Sequence, residues 1–315
     1  MKIAALAGGV GGAKLAHGLD KVLPAGSLTV IVNTADDFDH LGLRISPDVD
    51  TVTYTLADLA DAQRGWGRAD ETWNCLDTLE RLGGPTWFRL GDRDLGLHLE
   101  RTRRMKEGEP LSSITREICA SFGIQSEILP MSDDRVATRV QTEEAELAFQ
   151  TYFVALRCEP EVRGFRFEGI EEAKPAPGVL EAIGEADFIV FCPSNPWVSI
   201  DPILGVAGIA DAVKQKTVVG ISPIIGGRAL KGPAARMYRQ LGFEASAASA
   251  AKHYQAYLDG FVLDQADLEL ESVVQELGMR VRVAQTVMQS IEDRKTLAEI
   301  TIEFALQTLE RMRST

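Results

Sequence analysis

Residues 6–19 read LAGGVGGAKLAHGL, directly behind the apolar opening MKIAA. An apolar run, four glycines in five residues and then a helix-forming stretch force a buried strand to turn sharply into a helix. Such a junction presents backbone N–H groups and the positive end of a helix dipole, which suits a phosphate. Tight packing of helix on strand would by itself also account for the glycines. The dinucleotide fingerprint G-x-G-x-x-G fails, because counting from Gly9 the third position falls on Lys14. The pattern G-x-x-x-x-G-K-[ST] fails as well, since Lys14 follows Ala13 and precedes Leu15. The turn therefore predicts a phosphate loop of neither standard kind, with Gly8, Gly9, Gly11, Gly12 and Lys14 as candidate ligands.

Short apolar runs recur along the chain. Lys2–Leu6, Leu28–Asn33, Asp187–Cys192, Lys216–Ser222, Gly260–Asp264 and Arg280–Gln285 read as buried strands, and helical patterns separate most of them. A first helix is predicted through Ala13–Leu23. A closing one over about Arg294–Met312 places Leu297, Ile300, Phe304 and Leu309 on one stripe. Strands alternating with helices predict an α/β fold, a Rossmann-like, doubly wound and mostly parallel sheet. Between about Val136 and Phe167 the pattern alternates instead, as exposed antiparallel strands do. Residues 1–135 and 168–315 are thus expected to form the core, and 136–167 an inserted, small α+β subdomain.

A formal net charge of −13 argues against generic binding to nucleic acid or to an anionic membrane, so a phosphorylated ligand needs a local cationic or metal-filled site. No apolar run approaches the ~18 residues of a membrane span, and the stretch before the glycines is too short for a signal peptide. Cys75, Cys119, Cys158 and Cys192 are scattered, with no CxxC. A cytoplasmic protein with free thiols is expected.

Asp36, Asp37, Asp39, Asp48 and Asp50 fall within fifteen residues, immediately after the second strand. Ligands of open α/β sheets bind beyond the carboxyl ends of the strands, so these acids are expected beside the glycine turn. Carboxylates there repel phosphate unless a cation intervenes, and hard oxygen ligands suit Mg²⁺. Capping and solvated turn acids account for some of them, Asp39 and Asp58 first. Three of the four tryptophans follow, with Arg64, Arg68, Arg89, Arg93, Arg101, Arg103 and Arg104. Aromatic surface beside guanidinium groups suits a flat heterocycle. Arg101–Arg104 reads as a solvated helix face, and His98 as structural.

Two later strand-end stretches, FCPSNPWVSIDPIL and ISPIIGGRALKGPA, bring Ser194 and Asn195, then Gly226, Gly227, Arg228 and Lys231, to the same sheet edge. Plain turns would look similar. Two in succession favour phosphate or nucleotide contact.

Seven segments in order, LAGGVGGAK, GLRISPDVDTVTYTL, RGWGRADETW, WFRLGDRD, LPMSDDRV, CPSNPWVSIDPIL and SPIIGGRALKGPA, resemble the 2-phospho-L-lactate transferase family over about residues 2–265. No motif matches beyond GFVLD. The resemblance implies a Mg²⁺-dependent, homodimeric enzyme of coenzyme F420 biosynthesis. It would move a phospholactyl or phosphoenolpyruvyl group from a guanosine diphosphate ester to the terminal ribityl hydroxyl of the deazaflavin Fo, releasing GMP. It also implies Fo contacts at Asp50 and Arg89.

The remaining assignments follow from chemistry. Asp36, Asp37 and Asp50 are expected to hold Mg²⁺, and Asp50 to orient the attacking hydroxyl. Lys14, Arg228 or Lys231 would hold the donor phosphates, Ser194 and Asn195 phosphate or guanosine, and Trp87 the deazaflavin beside Arg89. Asp50, read as a polar strand-end residue, is expected to tolerate Asn without loss of fold. Two rival functions remain open. A nicotinamide dehydrogenase would be stabilised by NAD, and a non-catalytic nucleotide or deazaflavin sensor would release no GMP.

Overall fold

The computed structural model of the chain describes residues 1–229 and 232–313. The chain opens with β1 (Ile3–Ala7), α1 (Gly9–Val22) and β2 (Leu28–Val32). A hairpin of β3 (Phe38–His40) and β4 (Leu43–Ile45) leads into α2 (Pro47–Leu56). Three helices, α3 (Asn74–Arg81), α4 (Asp92–Lys106) and α5 (Leu111–Ser121), precede β5 (Glu127–Pro130). Then come β6 (Ala137–Thr142), β7 (Glu146–Ala148), β8 (Val162–Glu168), α6 (Val179–Glu185) and β9 (Phe188–Phe191). After α7 (Asp201–Gly205) and α8 (Ile209–Val213), β10 (Val218–Ile221) is followed by α9 (Ala234–Gln240), α10 (Ala247–His253) and β11 (Gly260–Asp264). The described chain closes with α11 (Glu271–Gln275), β12 (Arg280–Ala284) and α12 (Ile291–Arg313).

Seven strands form one sheet in the order β12-β11-β10-β9-β1-β2-β5, and every pairing in it is parallel. Its central strands β1, β9 and β10 read as unbroken, fully buried apolar runs because both faces are covered, whereas the edge strand β12 alternates Arg and Val and is half-buried. Along β1, Ile3, Ala5 and Ala7 pack with Leu15, Leu19, Val52, Leu297 and Phe304 of α1, α2 and α12. The alternate residues Ala4 and Leu6 join Val179, Ile183, Ile209 and Met237 on the other face. The doubly wound expectation holds. Strand order reverses at β1, with β2 on one side and β9 on the other, so a ligand crevice opens at the carboxyl ends of β1 and β9.

One element differs from the sequence expectations and two went unread in the sequence. Helix α1 begins at Gly9, four residues earlier than Ala13, so the glycines form its first turn. The edge strand β5 is only EILP, too short to show a period, and pairs with β2. Helix α2, DVDTVTYTL after Pro47, is rich in β-branched residues, and burial of Val49, Val52 and Leu56 overrides that propensity. Strands β7, β6 and β8 form a separate antiparallel sheet. Its Val140 and Val162 belong to the same core cluster as Leu6 and Ile189. Cys119, Cys158 and Cys192 are buried, and all four cysteines are free. Among the described residues no helix is long and apolar enough to cross a membrane.

Candidate active site

The turn after β1 is built by contact with the turn after β9. Gly8 N–H donates to Ser194 Oγ at 3.0 Å, and that hydroxyl donates back to Gly8 O at 2.9 Å. A Cβ on Gly11 would stand 2.5 Å from Pro193 O, and one on Gly12 would strike Ser194 Oγ. Gly8 is equally closed, with Asp48 Oδ2 2.5 Å from its would-be Cβ. These three glycines exist for close approach of backbone. Gly9 differs, with φ +63° and open space on its Cβ side. The packing account of the glycines is therefore right for Gly8, Gly11 and Gly12, and it still leaves the α1 N-terminus at the crevice.

The acids after β2 do come together. Asp36, Asp37, Asp48 and Asp50 are each buried. Asn33, just past β2, holds one of them: its Nδ2 donates to Asp48 Oδ2 at 2.9 Å and to Val198 O at 3.0 Å. Asp48 Oδ1 accepts from Gly9 N–H at 2.8 Å, tying the acid cluster to the glycine turn. Burial, and then the charge of Asp48, push the Asp36 carboxyl well above its usual range. Burial lifts Asp48 to about 6. Asp37 rises to about 7 for the same reason, although Arg44 and a hydrogen bond from Ser46 Oγ at 2.7 Å hold it down. Asp36 Oδ1 and Asp37 Oδ1 are buried without a hydrogen-bond partner among the described residues. Asp39 stands apart on the exposed hairpin near Arg44 and Arg135.

The expected metal trio needs correction at Asp50. Arg101 NH1 donates to Asp50 Oδ2 at 3.0 Å, and Arg101 NH2 grips Oδ1. Both carboxylate oxygens face a guanidinium, not the other acids. Among the described residues no three His, Cys, Asp or Glu side chains converge as a metal cage. Asp36, Asp37 and Asp50 are therefore not a preformed centre. Arg101 itself is 1% exposed, which overturns the solvated-face reading for this residue. That reading does fit Arg103, whose guanidinium pairs with Glu100 and Glu107 in solvent.

Beyond the acids lies an aromatic rim. Trp87 meets the His40 ring edge-on at 5.1 Å, and Phe38 and Phe88 close the cluster. Trp87 remains 36% exposed, so its ring also faces outward. The Arg89 guanidinium lies 4.6 Å from the centre of the Trp73 ring, with Arg64 at 5.1 Å from the same ring. An ion pair of Arg89 with Asp92 or Asp94 does not form. Asp92 accepts from Thr72, Asn74 and Cys75 at the start of α3, which holds its carboxyl down to about 2. Asp94 accepts from Tyr54.

The other candidates are placed as follows. Asn195 Oδ1 accepts from Trp197 N–H, and its amide nitrogen lies 3.3 Å from Met237 Sδ, so its side chain holds the turn after β9. Lys14 Nζ donates to Met288 O at 2.6 Å, joining α1 to the segment before α12. Gly226 and Gly227, both at positive φ, make a tight turn between Ile225 and Arg228. That turn is anchored by Asp267, which accepts from Gly226 N–H at 3.0 Å. Arg228 is exposed there. Lys231 lies outside the described residues. Sequence reasoning missed Asn33, Asp48 as an organiser, and Arg101. A polar Asn ending a buried strand was the available signal for the first.

The family profile described as 2-phospho-L-lactate transferase CofD matches residues 3–304, extending well beyond the quoted motifs. A phosphoenolpyruvate transferase of Streptomyces griseus is 44% identical over 313 residues, 97% of this chain and 98% of that protein. One of Thermobifida fusca is 44% identical over 99% of this chain and all of that protein. A 2-phospho-L-lactate transferase of Methanosarcina mazei is 41% identical over 94% of this chain and 98% of that protein. Among solved structures, a Bacillus halodurans protein described as a member of the upf0052 family superposes with TM-score 0.64 at 18% identity. That superposition covers 96% of this chain and 99% of the other, and it supports the fold alone.

Proposed function

The chain belongs to the 2-phospho-L-lactate transferase CofD family and is a transferase of coenzyme F420 biosynthesis; on that premise we propose how its site divides the work. The ribityl hydroxyl oxygen of Fo attacks the phosphorus that carries the phospholactyl or phosphoenolpyruvyl ester. The bond from that phosphorus to the bridging oxygen breaks, GMP leaves, and the hydroxyl proton is released. Such a reaction asks the protein for in-line placement and relief of charge more than for covalent help. The observation that carries this reading is the hydrogen bond from Gly9 N–H to Asp48, which joins the N-terminus of α1 to the buried acids.

The donor diphosphate binds at the N-terminus of α1, and Arg228, exposed on the turn after β10, is assigned as a further phosphate contact. Asp36 and Asp37 fit Mg²⁺, each with one buried oxygen left without a partner, and Asp48, held by Gly9 N–H and Asn33, would add its charge beside them. Mg²⁺ favours one or two carboxylates plus substrate phosphates, so the lack of a three-ligand cage suits it. Bound there, the ion would neutralise donor phosphate charge and polarise the nucleophile. Asp50, anchored by Arg101, accepts the hydrogen bond of the attacking hydroxyl. Arg89 and Trp87 flank the deazaflavin. A homodimer, which the family resemblance implies, is checked by light scattering.

Incubating the protein with Fo, Mg²⁺ and each guanylyl donor in turn, read by mass spectrometry, tests the function. GMP and a phosphodiester of Fo are expected with one donor or both. No GMP from either removes the transferase reading. GDP is also expected to raise the melting temperature more than ADP, since a site that binds only the native state stabilises by mass action. Equal shifts would mean that the base is not read.

The acids give a second test that does not depend on activity. Asp36, Asp37 and Asp48 bind protons in the folded state above the ordinary carboxylate value near 3.9, so the native state holds more protons than the unfolded one. Metal-free stability is therefore expected to fall as pH rises from about 4 to about 7. Mg²⁺ should restore more of it at high pH than at low, and Asp36→Asn should flatten the slope. Thermal melts over this range with and without Mg²⁺ give the answer. A flat profile, or equal Mg²⁺ effects at both ends, argues against a cation at these residues.

A further inference from the structure

Along α4, Asp94, His98 and Arg101 stand four and then three residues apart, so they share one face of the helix. Tyr54 Oη donates to Asp94 Oδ1 at 2.6 Å, and His98 Nε2 lies 3.2 Å from the same oxygen. Arg101 NH1 is 3.3 Å from His98 Nδ1 while also donating to Asp50 Oδ2. A guanidinium has only donors, so His98 Nδ1 must accept and the imidazole proton sits on Nε2, facing Asp94. The buried groups thus form a line: hydrogen bonds join Tyr54 to Asp94 and Arg101 to His98 and Asp50, while His98 Nε2 stands against Asp94 Oδ1 without a hydrogen bond between them.

We propose that Arg101 is a positioning residue for the transfer reaction, held by Asp94 and His98 so that its fork locks the Asp50 carboxylate toward the acceptor hydroxyl. The proposal rests on the reading that Asp50 contacts Fo. Stability alone is a weak reason for such an arrangement, because apolar replacements of buried ion pairs are often neutral or better. A fixed carboxylate direction is something apolar packing does not supply. A lysine would keep the charge but hold only one oxygen at a time, since an ammonium lacks the planar fork.

The test compares Arg101→Lys with the unsubstituted protein, with active sites counted by GDP titration. Per GDP-binding site, kcat/KM for Fo is expected to fall about tenfold or more, while GDP affinity stays unchanged. A purely structural role would lower the number of GDP-binding sites and leave the per-site constants intact, and that result overturns the proposal. Asp94→Asn, which leaves the Asp50–Arg101 pair in place but disturbs the proton on His98, carries the same readout if Arg101→Lys does not fold. It is expected to lose roughly threefold or more in the same constant, and an unchanged value overturns the relay. Asp50→Asn separates the two levels. If it keeps normal Fo kinetics, the Asp50 reading fails and the proposal with it; if it loses them while Arg101→Lys does not, only the positioning proposal fails.

Discussion

Asp50→Asn is expected to lower turnover by about a hundredfold or more, the range for losing a positioned charged group, and also to destabilise the fold by ~3–5 kcal/mol. The second effect reverses the sequence expectation that the fold would tolerate this change. Asp50 lies in the first turn of α2, 6% exposed, with both oxygens on Arg101. An asparagine keeps the volume but turns an NH₂ group toward a guanidinium and leaves that cation buried without its counter-charge. The loss follows from the orphaned arginine, not from the worth of the pair itself. Urea unfolding gives the stability change, and turnover at saturating Mg²⁺ per GDP-binding site gives the catalytic one. A variant with near-normal values in both would remove Asp50 from the mechanism and the ion pair from any account of the fold.

Arg89→Ala is expected to raise KM for Fo by about 10- to 100-fold, while GDP affinity remains nearly unchanged. Its guanidinium is exposed and stacks on Trp73, with no carboxylate of α4 bonded to it. An exposed stack of this kind is worth only ~0.5–1 kcal/mol, so the fold should survive its loss. A planar cation lying along an aromatic ring is already oriented for a second planar ring system. Arg89→Lys should recover only part of the loss, because an ammonium cannot lie flat against two rings. Fo fluorescence titration and GDP binding on each variant decide the matter. Equal losses for both ligands would indicate a general structural role, and loss confined to GDP would mean the two substrates are placed the wrong way round.

The strands and the glycine turn could be read from the sequence because their signals are local. A doubly covered parallel strand must be largely apolar, so β1, β2 and β9 to β11 announce themselves as short apolar runs, while the edge strand β12 shows itself by alternating Arg and Val. The four residues of β5 carry no comparable pattern, and only its pairing with β2 makes it a strand. The acids were visible as a cluster, but their division was not. Asp39, Asp48 and Asp50 look alike in sequence. One ends on an exposed hairpin, one on the Gly9 amide and Asn33, and one on Arg101.

Composition and local pattern by themselves determined the α/β class, the glycine turn between the first strand and helix, the acid-rich segment behind the second strand and, through seven ordered motifs, the family. Each of these depends on residues near one another in the chain, where periodicity and spacing carry the information. Tertiary structure alone decided what each charged group faces. Arg101 and Arg103 sit on the same helix two residues apart, yet one is buried against α2 and the other is solvated, because helix rotation against the core selects the face. Asp50 meets Arg101 across fifty-one residues of chain, and Gly8 meets Ser194 across 186. A carboxylate becomes a cation ligand, a hydrogen-bond acceptor or a solvated charge according to the burial and partners that such long-range contacts supply.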